Sequence, residues 1–175
     1  MKKAGFLAIL LCVFFGTVRC AWALIITLNA PPLLSISDAS TGSFTLTFPS
    51  FLQGTLSSAQ SVLYRIQANN MVNGTVFGVV SARLDEAFDG IDLEGAVTGY
   101  QNLGGNNFAS LHESQSGYRV IQTGQTSLTD KMPGTGTGDT NLDGNLTITW
   151  RGRLTTNAAA GQRSHFLIVT ILEGS

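Results

Sequence analysis

Short stretches in which apolar and polar residues alternate recur along this chain, and they limit its fold more than any other feature does. Residues 44–48 (FTLTF) alternate strictly, and Val62, Tyr64 and Ile66 share one face of the next such stretch. A period of two is the signature of a half-buried β-strand. No window of twelve or more residues has apolar positions at helical spacing. Strands are predicted at residues 24–28, 44–48, 62–67, 75–84, 96–100, 108–112, 118–122, 145–154 and 165–172.

Turn-forming residues separate these stretches. They are Asn73-Gly74, Asp89-Gly90, the segment 102–106 (NLGGN), Ser116-Gly117 and Asp143-Gly144. Strands joined at short intervals by such turns are typical of an antiparallel sandwich or barrel. The sequence shows no internal repeat and no domain boundary. We therefore predict an all-β fold, an antiparallel β-sandwich of the Ig-like or jelly-roll type, forming a single domain over residues 24–175.

The C-terminal strand is the most apolar of the set. Residues 166–172 (FLIVTIL) are apolar on both faces over most of their length, and such a strand promotes aggregation when it lies at a sheet edge. We therefore expect it inside a sheet, covered on both faces. The segment 160–170 (AGQRSHFLIVT) resembles the closing hairpin of secreted bacterial Ig-like sandwiches, including pilin-like fimbrial subunits and spore-coat-U-like proteins. The resemblance implies an Ig-like sandwich.

The N-terminal residues have the composition of a secretory signal peptide. Lys2 and Lys3 precede an apolar run at 6–15, and the small residues of Ala21-Trp22-Ala23 provide a cleavage site. The run is about half the length of a membrane-spanning helix, which needs about 20 apolar residues. We therefore expect residues 1–23 to be removed, leaving no transmembrane anchor. The mature protein, residues 24–175, is expected in the periplasm, at the cell surface or in the medium.

Cleavage changes the composition in ways that exclude several functions. Both cysteines, Cys12 and Cys20, lie in the signal peptide, so the mature protein has no disulfide and no thiolate chemistry. Its 7 remaining basic residues stand against 11 acidic ones, a formal net charge of −4. A nucleic-acid binder needs a clustered basic face. The basic residues are scattered apart from Arg151 and Arg153, so we predict no nucleic-acid partner.

One loop resembles the first half of a calcium-binding loop. Asp139, Asn141 and Asp143 place oxygen atoms at positions one, three and five, Gly144 follows at position six, and the Asn145 carbonyl adds a seventh-position ligand. Ca²⁺ is therefore the candidate cofactor. The pattern departs from an EF-hand because Trp150 occupies position twelve, where a bidentate Glu is required. The alternative is a turn rich in Asp and Asn, with Asp143-Gly144 as a hairpin pair.

Other residues with reactive side chains offer weaker signals. Five acids lie between Asp85 and Glu94, a spacing that suits a solvated loop as well as a pair of catalytic carboxylates. His112 and His165 do not neighbour a nucleophile motif. Three tyrosines could line a sugar-binding platform, although buried tyrosines are commoner. They are Tyr64, Tyr100 and Tyr118. We therefore expect no enzymatic activity.

These observations favour a secreted structural or surface protein, such as an envelope, matrix or filament subunit. The alternative is an extracellular carbohydrate-binding module, stabilised by calcium. The strand predicted at 24–28 is apolar, lies at the end created by cleavage, and is separated from the body by Pro31-Pro32. It can complete its own sheet or add to that of a neighbour, because both offer the same backbone hydrogen bonds. Self-association through this strand is therefore the predicted partner interaction.

Overall fold

The computed structural model describes residues 34–38, 43–135, 139–158, 161 and 163–171. This part of the chain forms nine β-strands and no helix. The strands are β1 (Leu34–Asp38), β2 (Gln60–Ala68), β3 (Val76–Leu84), β4 (Ile91–Asn102), β5 (Ser110–Glu113), β6 (Arg119–Ile121), β7 (Thr126–Met132), β8 (Leu142–Leu154) and β9 (Leu167–Ile171). The signal peptide and the predicted strand at 24–28 lie outside the described residues.

The strands form two antiparallel sheets. One has five strands in the order β1-β2-β8-β4-β6, and the other has four in the order β5-β7-β3-β9. From β2 onward, every connection carries the chain from one sheet to the other. Side chains from both sheets meet in one apolar core. The predicted all-β antiparallel sandwich is therefore confirmed.

The core follows from the alternation in the two central strands. Strand β8 buries every second residue along most of its length, including Leu146, Ile148 and Trp150, which are 0% exposed. Ile66 of β2 points to the same side of the sheet. Burial of each large apolar side chain contributes about 1.5–3 kcal/mol. Trp150 therefore faces the core, as its spacing from Ile148 predicts.

Two glycines, Gly95 on β4 and Gly144 on β8, leave room for aromatic rings. A Cβ at Gly95 would lie 2.4 Å from the Trp150 ring, and one at Gly144 would lie 2.4 Å from the Tyr100 hydroxyl. Glycine inside a strand often marks such a close approach.

The prediction of a turn at Asp143-Gly144 is wrong, because Gly144 lies within β8 and is paired with Ile66 and Asn102.

The segment 44–48 is not a strand, although its alternation is real. Residues 43–48 have no regular secondary structure, yet Phe44 and Leu46 pack against the core. The Phe44 ring stacks on Trp150 with a centroid separation of 6.3 Å. The Thr47 carbonyl accepts a hydrogen bond from the N–H of Ser58, a loop residue. The segment therefore covers the core through its side chains and joins neither sheet ladder.

The last strand differs from expectation in two ways. Among the strands that the structure describes, β9 pairs with β3 alone and lies at the edge of the four-stranded sheet, whereas an inner position was expected. It also belongs to a different sheet from β8, so β8 and β9 do not form a closing hairpin. One face is covered as expected, because Leu167 and Val169 pack against the core and Ile171 is buried.

Candidate functional site

Asp139, the first residue of the predicted calcium loop, is held by three donors of the chain itself. Its Oδ2 accepts a hydrogen bond from the Gly74 N–H at 2.7 Å, and its Oδ1 accepts one from the Gly134 N–H at 3.2 Å. The Lys131 ammonium lies 3.3 Å from Oδ1. The Gly74 hydrogen bond, followed by Lys131 and Gly134, lowers the pKa of Asp139, and partial burial opposes this shift. The carboxylate is therefore kept ionised and oriented.

Lys131 is the centre of this arrangement. Its side chain is 0% exposed, and its ammonium donates to the carbonyls of Val72 and Gly74 as well as to Asp139. An ammonium has three donors and no acceptor, so these oxygens satisfy it completely. A cation surrounded by two carbonyl oxygens and a carboxylate has the ligand types of a calcium site. In this structure the cation in that position is the ammonium group of Lys131.

The other three residues of the predicted site have different surroundings. Asp143, on β8, forms an ion pair with Arg65. Asn145 donates from Nδ2 to Gln101 Oε1 at 3.4 Å, and the Asn141 side-chain oxygen accepts from the Asn70 N–H at 3.4 Å. Among the described residues, no group of three His, Cys, Asp or Glu has the spacing to hold a metal ion. Calcium binding at Asp139, Asn141, Asp143 and Asn145 stays a prediction.

The run of acids between Asp85 and Glu94 is divided between a loop and a strand. Glu94 lies on β4, between Leu93 and Gly95, which face the core. Glu94 therefore points to the outer face, yet its side chain is only 3% exposed. Two guanidinium groups cover it, with Arg151 Nε 2.7 Å from Oε2 and Arg153 Nη2 2.7 Å from Oε1. A residue predicted in a solvated loop is thus the centre of an ionic cluster on a sheet.

The three tyrosines do not form a row. Tyr64 is buried in the core, and Tyr100 packs on the inner side over Gly144. Burial, followed by the nearby Asp143, raises the pKa of Tyr100 to about 12, and Arg65 opposes this. Tyr118 lies beneath Arg151, whose guanidinium carbon is 3.6 Å from the ring centroid. A flat sugar-binding platform built from these rings is therefore absent from the described surface.

The two histidines have different surroundings. His112 is exposed on β5. His165 packs edge-on against Phe88, and its Nδ1 lies 3.8 Å from Asp85 Oδ1. That carboxylate also accepts a hydrogen bond from the Phe166 N–H at 2.8 Å, and the Asp85 N–H donates to the Phe166 carbonyl at 3.0 Å. Asp85 therefore fixes the point at which the chain enters β9.

Comparisons with known proteins do not indicate a function for this chain. Among the residues that the structure describes, no helix has the length and apolar character of a membrane span. No protein-family model matches the chain, and searches of curated proteins and of solved structures give no match either.

Proposed function

We propose that this chain is an exported, non-enzymatic structural protein, a subunit of an envelope, matrix or filament assembly outside the cytoplasm. The observation that carries the proposal is the edge position of β9. Its sequence, LIVTI, contains neither a charged residue nor a proline. Natural edge strands are commonly protected by such residues, because an unprotected edge is a template for another strand. An apolar edge of this kind suits a protein that assembles by strand addition.

The contacts of β9 favour the addition of another strand at its edge over local unfolding of β9 itself. Leu167, Val169 and Ile171 are anchored in the core, and Asp85 fixes the start of the strand. Among the described strands, β9 forms a ladder with β3 alone, and β1 of the other sheet comes near it without pairing. Phe166, immediately before β9, is 75% exposed. A strand that docks here would gain backbone hydrogen bonds and cover this ring.

The occupant we propose is residues 24–28 of a second copy of the chain. This segment is apolar (LIITL) and has the same number of residues as β9. Once residues 1–23 are removed, it is the free end of the mature chain, which supports transfer to a neighbour. Pairing between copies would also strengthen an assembly whose subunits have no disulfide.

The test compares the oligomeric state of mature variants by analytical ultracentrifugation. Deletion of residues 24–30 and Thr170→Lys should each leave folded monomers, because one removes the donor and the other protects the accepting edge. Thr170 is suitable because it pairs with Ser81 and lies on the outer face of β9. Val120→Lys, at an outward position of the edge strand β6, is the matched control and should retain oligomers. A full-length protein that is monomeric and loses only stability on deletion would overturn the proposal.

A further inference from the structure

Three of the seven basic residues of the mature chain lie at one end of the five-stranded sheet. Arg151 and Arg153 lie on β8, opposite Glu94 and Asp92 of β4, and Arg119 lies on β6, opposite Gly95. Arg119 shares the inner side with Gly95 and donates to the Ser127 carbonyl, whereas Arg151 and Arg153 share the outer side with Asp92 and Glu94, so the outward-facing charges balance. We name the outward-facing set of Glu94, Tyr118, Arg151 and Arg153 the arginine face.

The arginine face is held rigid before any ligand arrives. Arg151 is fixed from one side by Glu94 and from the other by the Tyr118 ring. It reaches Glu94 through Nε, so its two terminal nitrogens have no acceptor within the described part of the chain. Arg153 remains 47% exposed while it contacts Glu94 through one nitrogen. A guanidinium fixed in this way can bind a carboxylate through two parallel hydrogen bonds with little further loss of entropy.

A polar groove shares one residue, Tyr118, with the arginine face. It has a volume of about 550 Å³ and lies along β6 and the start of β7. Its lining is Gln115, Tyr118, Arg119, Val120, Gln122, Gln125, Thr126 and Ser127. The groove is shallow and open to solvent. Each glutamine amide offers both donors and acceptors, which suits the hydroxyl groups of a sugar.

We propose that the arginine face and this groove together bind a carboxylate-bearing saccharide, an oligomer of uronic acid. The carboxylate would contact Arg151 and Arg153, and the ring hydroxyls would contact the glutamines. This site uses guanidinium and amide groups and does not need a platform of aromatic rings. Two guanidinium groups balanced by two carboxylates are too few for nucleic acid, because a polyphosphate requires many basic contacts.

The test is calorimetric titration of the mature protein with trigalacturonate, with the neutral trisaccharide maltotriose as the comparison ligand. We expect binding of the uronate and none of the neutral sugar. Arg153→Gln should weaken the affinity about tenfold, the loss expected for one charge-assisted contact. Arg163→Gln is the matched control, since Arg163 has a similar exposure of 41% and lies elsewhere, near Asp89. Its affinity should be unchanged.

A second variant keeps the test independent of folding, because Arg153 also covers the Glu94 carboxylate. Gln122 is exposed in the groove, so Gln122→Ala should preserve the melting temperature and weaken uronate binding severalfold. Binding of maltotriose with the same affinity as the uronate would overturn the proposal. A loss of uronate affinity in Arg163→Gln equal to that in Arg153→Gln would overturn it as well. Tighter binding of a heparin trisaccharide than of the uronate would also overturn it, since that result indicates general attraction to sulfate. The absence of any uronate binding at millimolar concentration would have the same consequence.

Discussion

Replacing Asp139 by Asn or Lys131 by Met tests whether their ion pair holds one end of the sandwich together. Loss of one partner from a buried ion pair costs about 3–5 kcal/mol, because the other charge is left uncompensated. The loss of unfolding free energy in Asp139→Asn should lie near the lower end, about 3 kcal/mol, because Lys131 still donates to the carbonyls of Val72 and Gly74. Lys131→Met fills a similar volume but leaves those carbonyls without a donor, so a similar loss is expected. For a domain of 150 residues or more, about 3 kcal/mol lowers the melting temperature by about 6–12 °C.

The double variant separates the pair from its surroundings. When both charges are replaced, neither is left buried without a partner, so the combined loss should be smaller than the sum by at least about 1 kcal/mol. The assay is urea unfolding followed by circular dichroism on the mature protein. Asp89→Asn is the control, because Asp89 is fully exposed beside Arg163 and should not change the midpoint. Strictly additive losses, or single losses equal to that control, would refute the reasoning.

Acid should weaken the same contact in a direction fixed by the pKa. The Gly74 hydrogen bond and Lys131 lower the pKa of Asp139 from its ordinary value of 3.8. A carboxyl group whose pKa is lower in the folded state stabilises the fold fully above its unfolded pKa, and this contribution is lost as the pH falls through the folded value. The stability difference between the unmutated protein and Asp139→Asn should therefore be constant near neutrality and shrink below pH 3.8. A difference that grows in acid would contradict this assignment.

Three further outcomes are expected. Gly95→Ala should destabilise the protein by about 1–3 kcal/mol in urea unfolding, because the added Cβ meets the Trp150 ring at 2.4 Å, and an unchanged midpoint would show that the ring moves freely. If the predicted loop binds calcium, the ion should raise the melting temperature, contributing about 2.7 kcal/mol at 100 times its dissociation constant, and Asp139→Asn with Asp143→Asn should abolish the rise. No response of the unmutated protein would contradict calcium binding at this loop. The intact mass of the exported protein should correspond to a chain that begins at Leu24, and a mass that retains Trp22 would exclude this cleavage site.

The sequence predicts those strands whose burial is one-sided and regular. Strand β2 is seen in advance because Val62, Tyr64 and Ile66 share one face while Arg65 and Gln67 share the other, and β8 because Ile148 and Trp150 alternate with polar residues. Strand β7 (TSLTDKM) was missed because it carries a lysine where an apolar residue is expected. Only the fold supplies the acceptors that allow Lys131 to be buried, and two of them lie nearly 60 residues away in the chain.

Sequence patterns could not predict the order of strands in the sheets or the ionic clusters, for a related reason. A period of two shows that a strand has a buried face but does not show which strand lies beside it. The edge position of β9 and the pairing of Glu94 with Arg151 and Arg153 both depend on contacts between distant segments. The segment 44–48 shows the converse, because side-chain burial alternates there without any ladder. Alternation of apolar and polar residues therefore predicts which side chains are buried. It does not predict which strands pair, which only the structure shows.

Two ionic clusters stabilise the sandwich at points other than the proposed assembly edge. Lys131 and Asp139 connect β7 to the loops around Val72 and Gly74, whereas Glu94 connects β4 to β8 through two arginines. Neither cluster includes a residue of β9. Because the clusters and β9 share no residue, changes at that edge and changes in the clusters should act independently. Thr170→Lys should therefore alter assembly and leave urea unfolding of the monomer unchanged, whereas Asp139→Asn should lower stability in monomer and assembly alike.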